Sequence, residues 1–464
     1  MFAAQRLARL LLKVSLVVTP LSVSAMDLAQ AWQLALSNDA TYQAARAGYR
    51  ASLQKMPQAR AGLLPNISGS LTGAYLENRA TGSLAQVYDG SRSAWTLALT
   101  QPVFNWSAIQ TYEQSKLVVA SAEVQLQLAY QDLMLRVCDA YFTILALQDS
   151  LDAMKAEQRS IAEQLAAAKR RFELGDATVT DALEAQARYD LTSANMIGVE
   201  NELRNAENEL GRITGRQPIP GTLYALPYSV QLPKPQPNKL ESWSDQARSA
   251  NLNVVRARIQ TRITSYDIQI AKSGHYPSVN LTASSTSNTV GNSQVRPFYD
   301  GRTIDNTLAL TLSVPIFSGG QVSATVVEKA ELQQKSVYDL EAVKRRSLQL
   351  SREYFSGVQA GLARVRGLQA AEKSSLSALK ANLTGYEIGV RINLDVLDAQ
   401  RQLFITKRDL AQARYRTLMT GLRLRANSGV LSQDNLFAVN GLLKPPGSPG
   451  TGIMHDLKLP GRKR

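Results

Sequence analysis

The sequence predicts a mainly α-helical chain with a minority of β-strands, arranged as one helix–hairpin unit used twice. Three observations carry this. Residues 106–174 contain neither Gly nor Pro, and residues 318–388 contain no Pro, so each run can form one very long helix. Short segments on either side alternate apolar and polar residues with the period of a strand. The halves also echo one another. Phe172-Glu173-Leu174-Gly175 is followed by Asp181, Glu184 and Gln186, as Tyr386-Glu387-Ile388-Gly389 is followed by Asp395, Asp398 and Gln400, every pair 214 residues apart.

In chain order, residues 1–25 read as a secretory signal. Arg6, Arg9 and Lys13 flank the start of an apolar run at 14–21, and Val23-Ser24-Ala25 fits a small-residue cleavage site. A first repeat covers 26–232. Residues 26–62 read as helix, followed by a strand pair at 65–104. Ile67, Gly69, Leu71, Gly73 and Tyr75 alternate with small or polar residues; Trp95, Leu97 and Leu99 form one face of the second strand, and 77–93 reads as a polar connection. The long helix 106–174 would span about 100 Å. Its middle is apolar on more than one side (Leu133, Met134, Val137, Tyr141, Phe142), whereas its end narrows to Ile161, Leu165, Ala168 and Phe172, a coiled-coil spacing. A tip at 175–178 leads into helix 179–213, where Thr178 and Asp181 fit a capping box. Pro218, Pro220, Pro227, Pro233, Pro235 and Pro237 mark 215–240 as a linker.

A second repeat covers 233–432: a helix, a strand pair at 277–317, a long helix 320–388, a tip at 389–392 and a helix 393–428. Gly274-His275-Tyr276-Pro277 echoes Gly62-Leu63-Leu64-Pro65, and Pro315-Ile316-Phe317 echoes Pro102-Val103-Phe104. The fourth strand is read at 308–314, after a Ser/Asn/Gly-rich segment. Leu376, Leu379, Leu383 and Tyr386 line a seam, and Val396, Leu403 and Leu410 recur every seven residues. Gly389 ends the long helix and Asn393 is placed to cap the next. Residues 433–464 form a C-terminal segment whose Pro/Gly/Lys-rich end is expected to be disordered.

Composition narrows the function. Aromatic residues make up 6% of the chain and charged residues 19%, a balance that suits long helices with narrow seams. The net charge of +14 raises nucleic acid as a partner. The Lys and Arg are scattered along helices and the chain reads as exported, so no nucleic-acid role is expected. Cys138 is the one cysteine, so no intrachain disulfide forms, and its apolar helix predicts a buried thiol. No cysteine stands at the cleavage site, so no lipid anchor is expected. His275 and His455 lack metal-ligand spacing, and neither a G-x-S-x-G elbow nor a P-loop is present; no catalysis, cofactor or metal is expected.

No apolar run reaches the roughly 18 residues that a membrane-spanning helix needs, so any membrane role must use strands. Each half offers a strand pair, and an open sheet in lipid would leave edge groups bare at several kcal/mol each. Since the smallest familiar barrels have about 8 strands, a membrane sheet here demands self-association. The other reading is an exported structural coiled-coil protein with a soluble β-cap, and the strands alone leave both open.

The chain resembles the TolC-like outer-membrane channel family, the outer membrane factors of efflux and type I secretion systems. The doubled architecture carries the resemblance, with Gly-His-Tyr-Pro-Ser-Val at 274–279, Leu-Ser-Val-Pro-Ile-Phe-Ser-Gly-Gly at 312–320 and Tyr-Glu-Ile-Gly-Val-Arg-Ile-Asn-Leu-Asp-Val-Leu-Asp-Ala-Gln at 386–400. It implies a homotrimer whose chains close a β-barrel of about 12 strands in outer-membrane lipid. That barrel continues as a periplasmic α-helical barrel, girdled by an equatorial domain to which the linker and C-terminal segment belong. It also implies a passive export duct with two partners: a periplasmic adaptor (membrane fusion protein) and an inner-membrane ABC or RND transporter.

The tip residues follow. Asp395 and Asp398 stand three apart on one helical face, a spacing that also suits plain charge–dipole stabilisation of a helix start. In a threefold tube they become rings at the closed end, with Asp181 and Glu184 as secondary members. At about 8 Å each like-charge pair repels by roughly 0.5 kcal/mol even in water, so such a ring favours opening and attracts cations. The resemblance implies that Tyr386 and Arg391 tie neighbouring helices together in the closed state. The acidic partner it requires is replaced by Ala166, which leaves Gln164 or Glu163 as substitutes. It further implies that Leu174, Gly175 and Asp176, with Ile388, Gly389 and Val390, dock the adaptor.

Overall fold

The computed structural model describes residues 26–78, 88–175, 178–291 and 301–448. The expected signal at 1–25 and the tail with His455 lie outside them. The order is α1 (Leu28–Asn38), α2 (Ala40–Leu53), α3 (Lys55–Ala61), β1 (Asn66–Asn78), β2 (Tyr88–Phe104), α4 (Trp106–Glu173) and α5 (Val179–Thr214). It continues with α6 (Leu240–Ala250), α7 (Leu252–Lys272), β3 (Ser278–Gly291), β4 (Gly301–Ser313), α8 (Gln321–Glu387), α9 (Asn393–Asn427) and α10 (Gln433–Asn440).

The segment 26–62 is three helices where the sequence suggested one. Asp39 leaves the helical region to cap α2, its Oδ1 accepting the Tyr42 amide at 2.7 Å. The second break, at Gln54, lets Pro57 fall in the first turn of α3, where a missing N–H costs nothing.

The strands form one antiparallel sheet in the order β1-β2-β3-β4, with β2 and β3 joining the two halves (Thr96 opposite Thr286). Pro102 sits where the register shifts between Pro102 and Phe104, one of the few places a strand tolerates proline. The strands outrun the sequence reading: β2 begins at Tyr88 and β4 at Gly301, within segments read as polar connections. Residues polar on both faces hide the period of 2 while their backbones still pair. Ile67, Leu71 and Tyr75 on β1, and Leu308, Leu310 and Leu312 on β4, are exposed on alternating positions.

At 68 and 67 residues, α4 and α8 each reach about 100 Å. Each folds back on a shorter helix, α4 on α5 and α8 on α9, with a tip at Gly175 and Gly389, both left-handed (φ +80° and +78°). The core lies half-way along. Leu133, Met134, Val137, Cys138, Tyr141 and Phe142 of α4 pack against Trp32, Leu210, Leu226, Leu418 and Leu436, drawn from α1, α5, the proline-rich segment, α9 and α10. That is why the middle of α4 is apolar all round. Burial pushes the Cys138 thiol up to about 12. The proline-rich segment is a strap rather than a free tether: Ala225 and Lys444 exchange backbone hydrogen bonds at 2.9 and 2.8 Å, and Tyr141 donates its hydroxyl to the Met26 and Tyr224 carbonyls. Among the described residues no helix is long and apolar enough to cross a membrane.

Asp39 is 1% exposed and accepts two hydrogen bonds from Arg136, at 3.0 and 3.1 Å. Burial alone would raise its carboxyl, but Arg136 and the Tyr42 amide together hold it below the usual 3.8. A depressed carboxylate stabilises the fold above the unfolded-state value and stops doing so as pH falls through the lower, folded one. Asp39→Ala therefore costs about 2 kcal/mol at neutral pH. Denaturant unfolding should show that penalty shrinking as the pH drops below 3.8.

Candidate functional site

The two tips close in the same way and differ in detail. After α4 the Leu174 amide donates to the Arg170 carbonyl and the Gly175 amide to that of Phe172. Asp176 lies outside the described residues. Thr178 caps α5 reciprocally with Asp181: the Asp181 amide donates to Thr178 Oγ1 at 3.3 Å, and the Thr178 amide to Asp181 Oδ2 at 3.2 Å. Asp181 is thus engaged by its own helix start. Glu184, next on this face, is half-buried. After α8 the Gly385 carbonyl accepts both the Val390 amide (2.9 Å) and the Arg391 amide (3.1 Å). A Cβ on Gly385 would stand 2.7 Å from Arg391 Cγ, so the close return of the chain requires glycine there.

Asn393 does not cap α9. Ile392 occupies the cap position with no side-chain bond, and Asn393 is the first helical residue, 2% exposed. Its side chain is held inward by burial, which takes it out of reach of its own helix's amides; Nδ2 has no partner among the described residues. Phe172, expected in the seam, is exposed because it lies on the last turn of α4, while Ile161 and Ala168 are buried.

Asp395 and Asp398 find different partners. Arg391, of the same tip, lies 3.6 Å from Asp395. Arg188 Nη2, on α5 of the other hairpin, donates to Asp398 Oδ1 at 2.5 Å. Two further contacts join the hairpins. Gln164 Nε2 donates to Gln400 Oε1 at 2.9 Å, and the Arg171 guanidinium lies 4.6 Å from the Tyr386 ring centroid. Leu397 of α9 packs between Ile161 and Ala185 of the first hairpin. Tyr386 is therefore tied to an arginine rather than to a carboxylate. Ala166 contributes only its carbonyl, to Arg170. Glu163 is exposed.

Sequence reading did not single out Arg188 or Arg171, because their contacts join segments about half a chain apart. A signal was present. At the offset of 214, Gln164, Arg171 and Arg188 correspond to Ala378, Gly385 and Gln402. On the first hairpin, the three polar residues that reach the second are ones in which the repeats differ.

No cluster of His, Cys, Asp and Glu able to hold a metal occurs among the described residues. A four-stranded sheet with an alternating apolar face, carried by helices of about 100 Å that end in paired tips, is the architecture of an outer-membrane channel with a periplasmic helical tunnel. The chain belongs to the family described as outer membrane efflux protein, whose model matches residues 31–216 and 243–430. It is 30% identical over 440 residues to the proteases secretion protein PrtF of Dickeya chrysanthemi, covering 92% of this chain and 93% of that one. With the outer membrane protein TolC of Escherichia coli it shares 29% over 429 residues, 91% of this chain and 86% of the other. The structure of the outer membrane protein VceC from Vibrio cholerae superimposes with a TM-score of 0.72 at 17% identity, over 87% of this chain and 96% of that one. The chain is a TolC-like outer-membrane export channel.

Exposed ion pairs are worth about 0.2–1 kcal/mol, and Asp398 is 57% exposed. A double-mutant cycle with Arg188→Ala and Asp398→Ala should return a coupling of about 0.5 kcal/mol that fades in high salt. A cycle that closes to zero at low salt would show the two side chains to be independent.

Proposed function

We propose that three copies of this chain form a passive export duct that joins a periplasmic adaptor and an inner-membrane transporter to the exterior. The single observation that carries the proposal is the open sheet. Its outer strands β1 and β4 each have one neighbour, and both present alternating exposed apolar residues. In lipid those edges must pair, and pairing with further copies closes a barrel without any other protein. Heat-resistant trimers extracted from outer membranes with detergent support this reading; a water-soluble monomer defeats it.

The tips support a protein partner. Leu174, Ile388 and Val390 are 76%, 69% and 71% exposed, at turns whose glycines leave the backbone free of bulk. Apolar residues offered together at the end of a helical rod suit a helical adaptor. The relative named for protease secretion favours a secreted protein as cargo.

Within such a trimer Asp395 and Asp398 line the narrow end, with Glu184 and Asp181 nearby. The Arg188–Asp398 pair, the Gln164–Gln400 hydrogen bond and the Arg171–Tyr386 contact hold each second hairpin against its first, in place of a latch through residue 166. Adaptor binding opens the duct by favouring the state in which these contacts are released. The latch and the ring make opposite predictions for cations. Asp395→Ala with Asp398→Ala should raise single-channel conductance and weaken block by multivalent cations. Arg188→Ala should raise conductance yet strengthen the block, since it leaves Asp398 uncompensated. Unchanged conductance and block in both variants would remove the gate from the tips.

A further inference from the structure

Between the core and the tips, charged and phenolic groups from four segments meet. From α4 comes Asp149, whose Oδ2 accepts the Tyr415 hydroxyl at 3.1 Å. Tyr415, on α9, is 4% exposed and stacks on Phe142 of α4, with ring centroids 6.0 Å apart. Its neighbour Arg414 is 6% exposed, donates through Nη2 to the Pro227 carbonyl of the strap, and lies 5.9 Å from the Tyr228 ring. Tyr228 in turn donates its hydroxyl to Glu372 of α8. Lys407, one face of α9 further along and 5% exposed, lies 3.6 Å from the same Glu372 carboxylate. Asp149, Tyr228, Lys407 and Arg414 line one small cavity.

The groups facing Asp149 are thus Tyr415, Arg414 and Lys407 from α9, Tyr228 from the strap with Glu372 of α8 behind it, and Asp152 from its own helix. Lys407 answers Glu372 directly, and Arg414 is turned to a backbone carbonyl. Asp149 is half-buried, and among the described residues it keeps one hydrogen bond, from a neutral hydroxyl, and no ion pair at contact distance. A carboxylate so placed is a poor guest when ionised and a good one when neutral. Neutral, it still accepts from Tyr415 and leaves no unpaired charge on α4.

We propose that this junction is a proton-operated clamp, binding the second hairpin to the first and to the proline-rich strap most tightly when Asp149 carries a proton. Burial pushes the Asp149 carboxyl up to about 7, opposed by the Tyr415 hydroxyl, aided by Asp152 and opposed again by the Arg414 charge. Between the usual carboxyl value of 3.8 and about 7, the folded chain keeps a proton that the unfolded chain has released. Stability is therefore fully present in acid and declines as pH rises through about 7. The clamp does not rest on the gate assignment, and unchanged conductance in tip variants leaves it standing.

The test is the thermal unfolding midpoint of the full-length protein in detergent, followed across the pH range around neutrality. The native chain should lose midpoint temperature as pH rises through about 7. Asp149→Asn, neutral at every pH, should lose most of that slope and match the native chain in acid. Tyr415→Phe removes the hydrogen bond that favours the ionised form, and should move the decline to higher pH. This second variant decides the matter if Asp149→Asn does not assemble. A native midpoint that is flat across neutrality, an Asp149→Asn slope equal to the native one, or a Tyr415→Phe profile unshifted from the native one would overturn the clamp.

Discussion

The backbone of the sheet sets the terms for the rest of the molecule. Four strands pair in sequence order and leave one side of β1 and one side of β4 without a neighbour. Water could satisfy those groups, but hydrocarbon cannot. An alternating apolar face on the same strands suits hydrocarbon, and in the trimer proposed above the edges pair across copies of the chain. Everything below the sheet inherits that arrangement, because α4 continues from β2 with only Asn105 between them, as its cap.

At the far end the hairpins are joined by individually weak contacts. The links between the hairpins are of that kind: one exposed ion pair, one amide–amide hydrogen bond and one arginine over a tyrosine ring. Each is worth on the order of 1 kcal/mol or less. The apolar contact of Leu397 with Ile161 and Ala185 is small as well. Pairing Asp398 with Arg188 also changes what the carboxylate does, since part of its charge is spent on holding the hairpins together. The middle of the molecule is built in the opposite way. There Trp32, Tyr141, Leu133 and Leu210 are fully buried, and the strap is fastened on both sides. The waist is thus packed through large buried side chains, whereas the tips are joined by small and partly exposed contacts.

Much of this was legible in the order of residues. Long stretches free of proline can only be long helices once their seams are apolar, and glycine after Leu174 and Ile388 ends them because few other residues adopt a left-handed backbone. The capping box of Thr178 and Asp181 is a local interaction and was readable as such. Strand lengths were not, since Gly301–Asn306 carries no alternation to betray its pairing. The break at Asp39 is a local cap on the Tyr42 amide, but the partner that holds its carboxylate in place, Arg136, lies 97 residues away.

The sequence by itself determined the repeat, the hairpins and the placing of Asp395 and Asp398 at a tip. All of these follow from periods and turns that extend over a few residues. Only the tertiary structure decided what those carboxylates face, that Asn393 is buried rather than capping, and that Asp149 meets Tyr415 beside Arg414. Such pairings depend on which helix faces lie together across two hundred residues or more of chain, and local periodicity does not encode that distance.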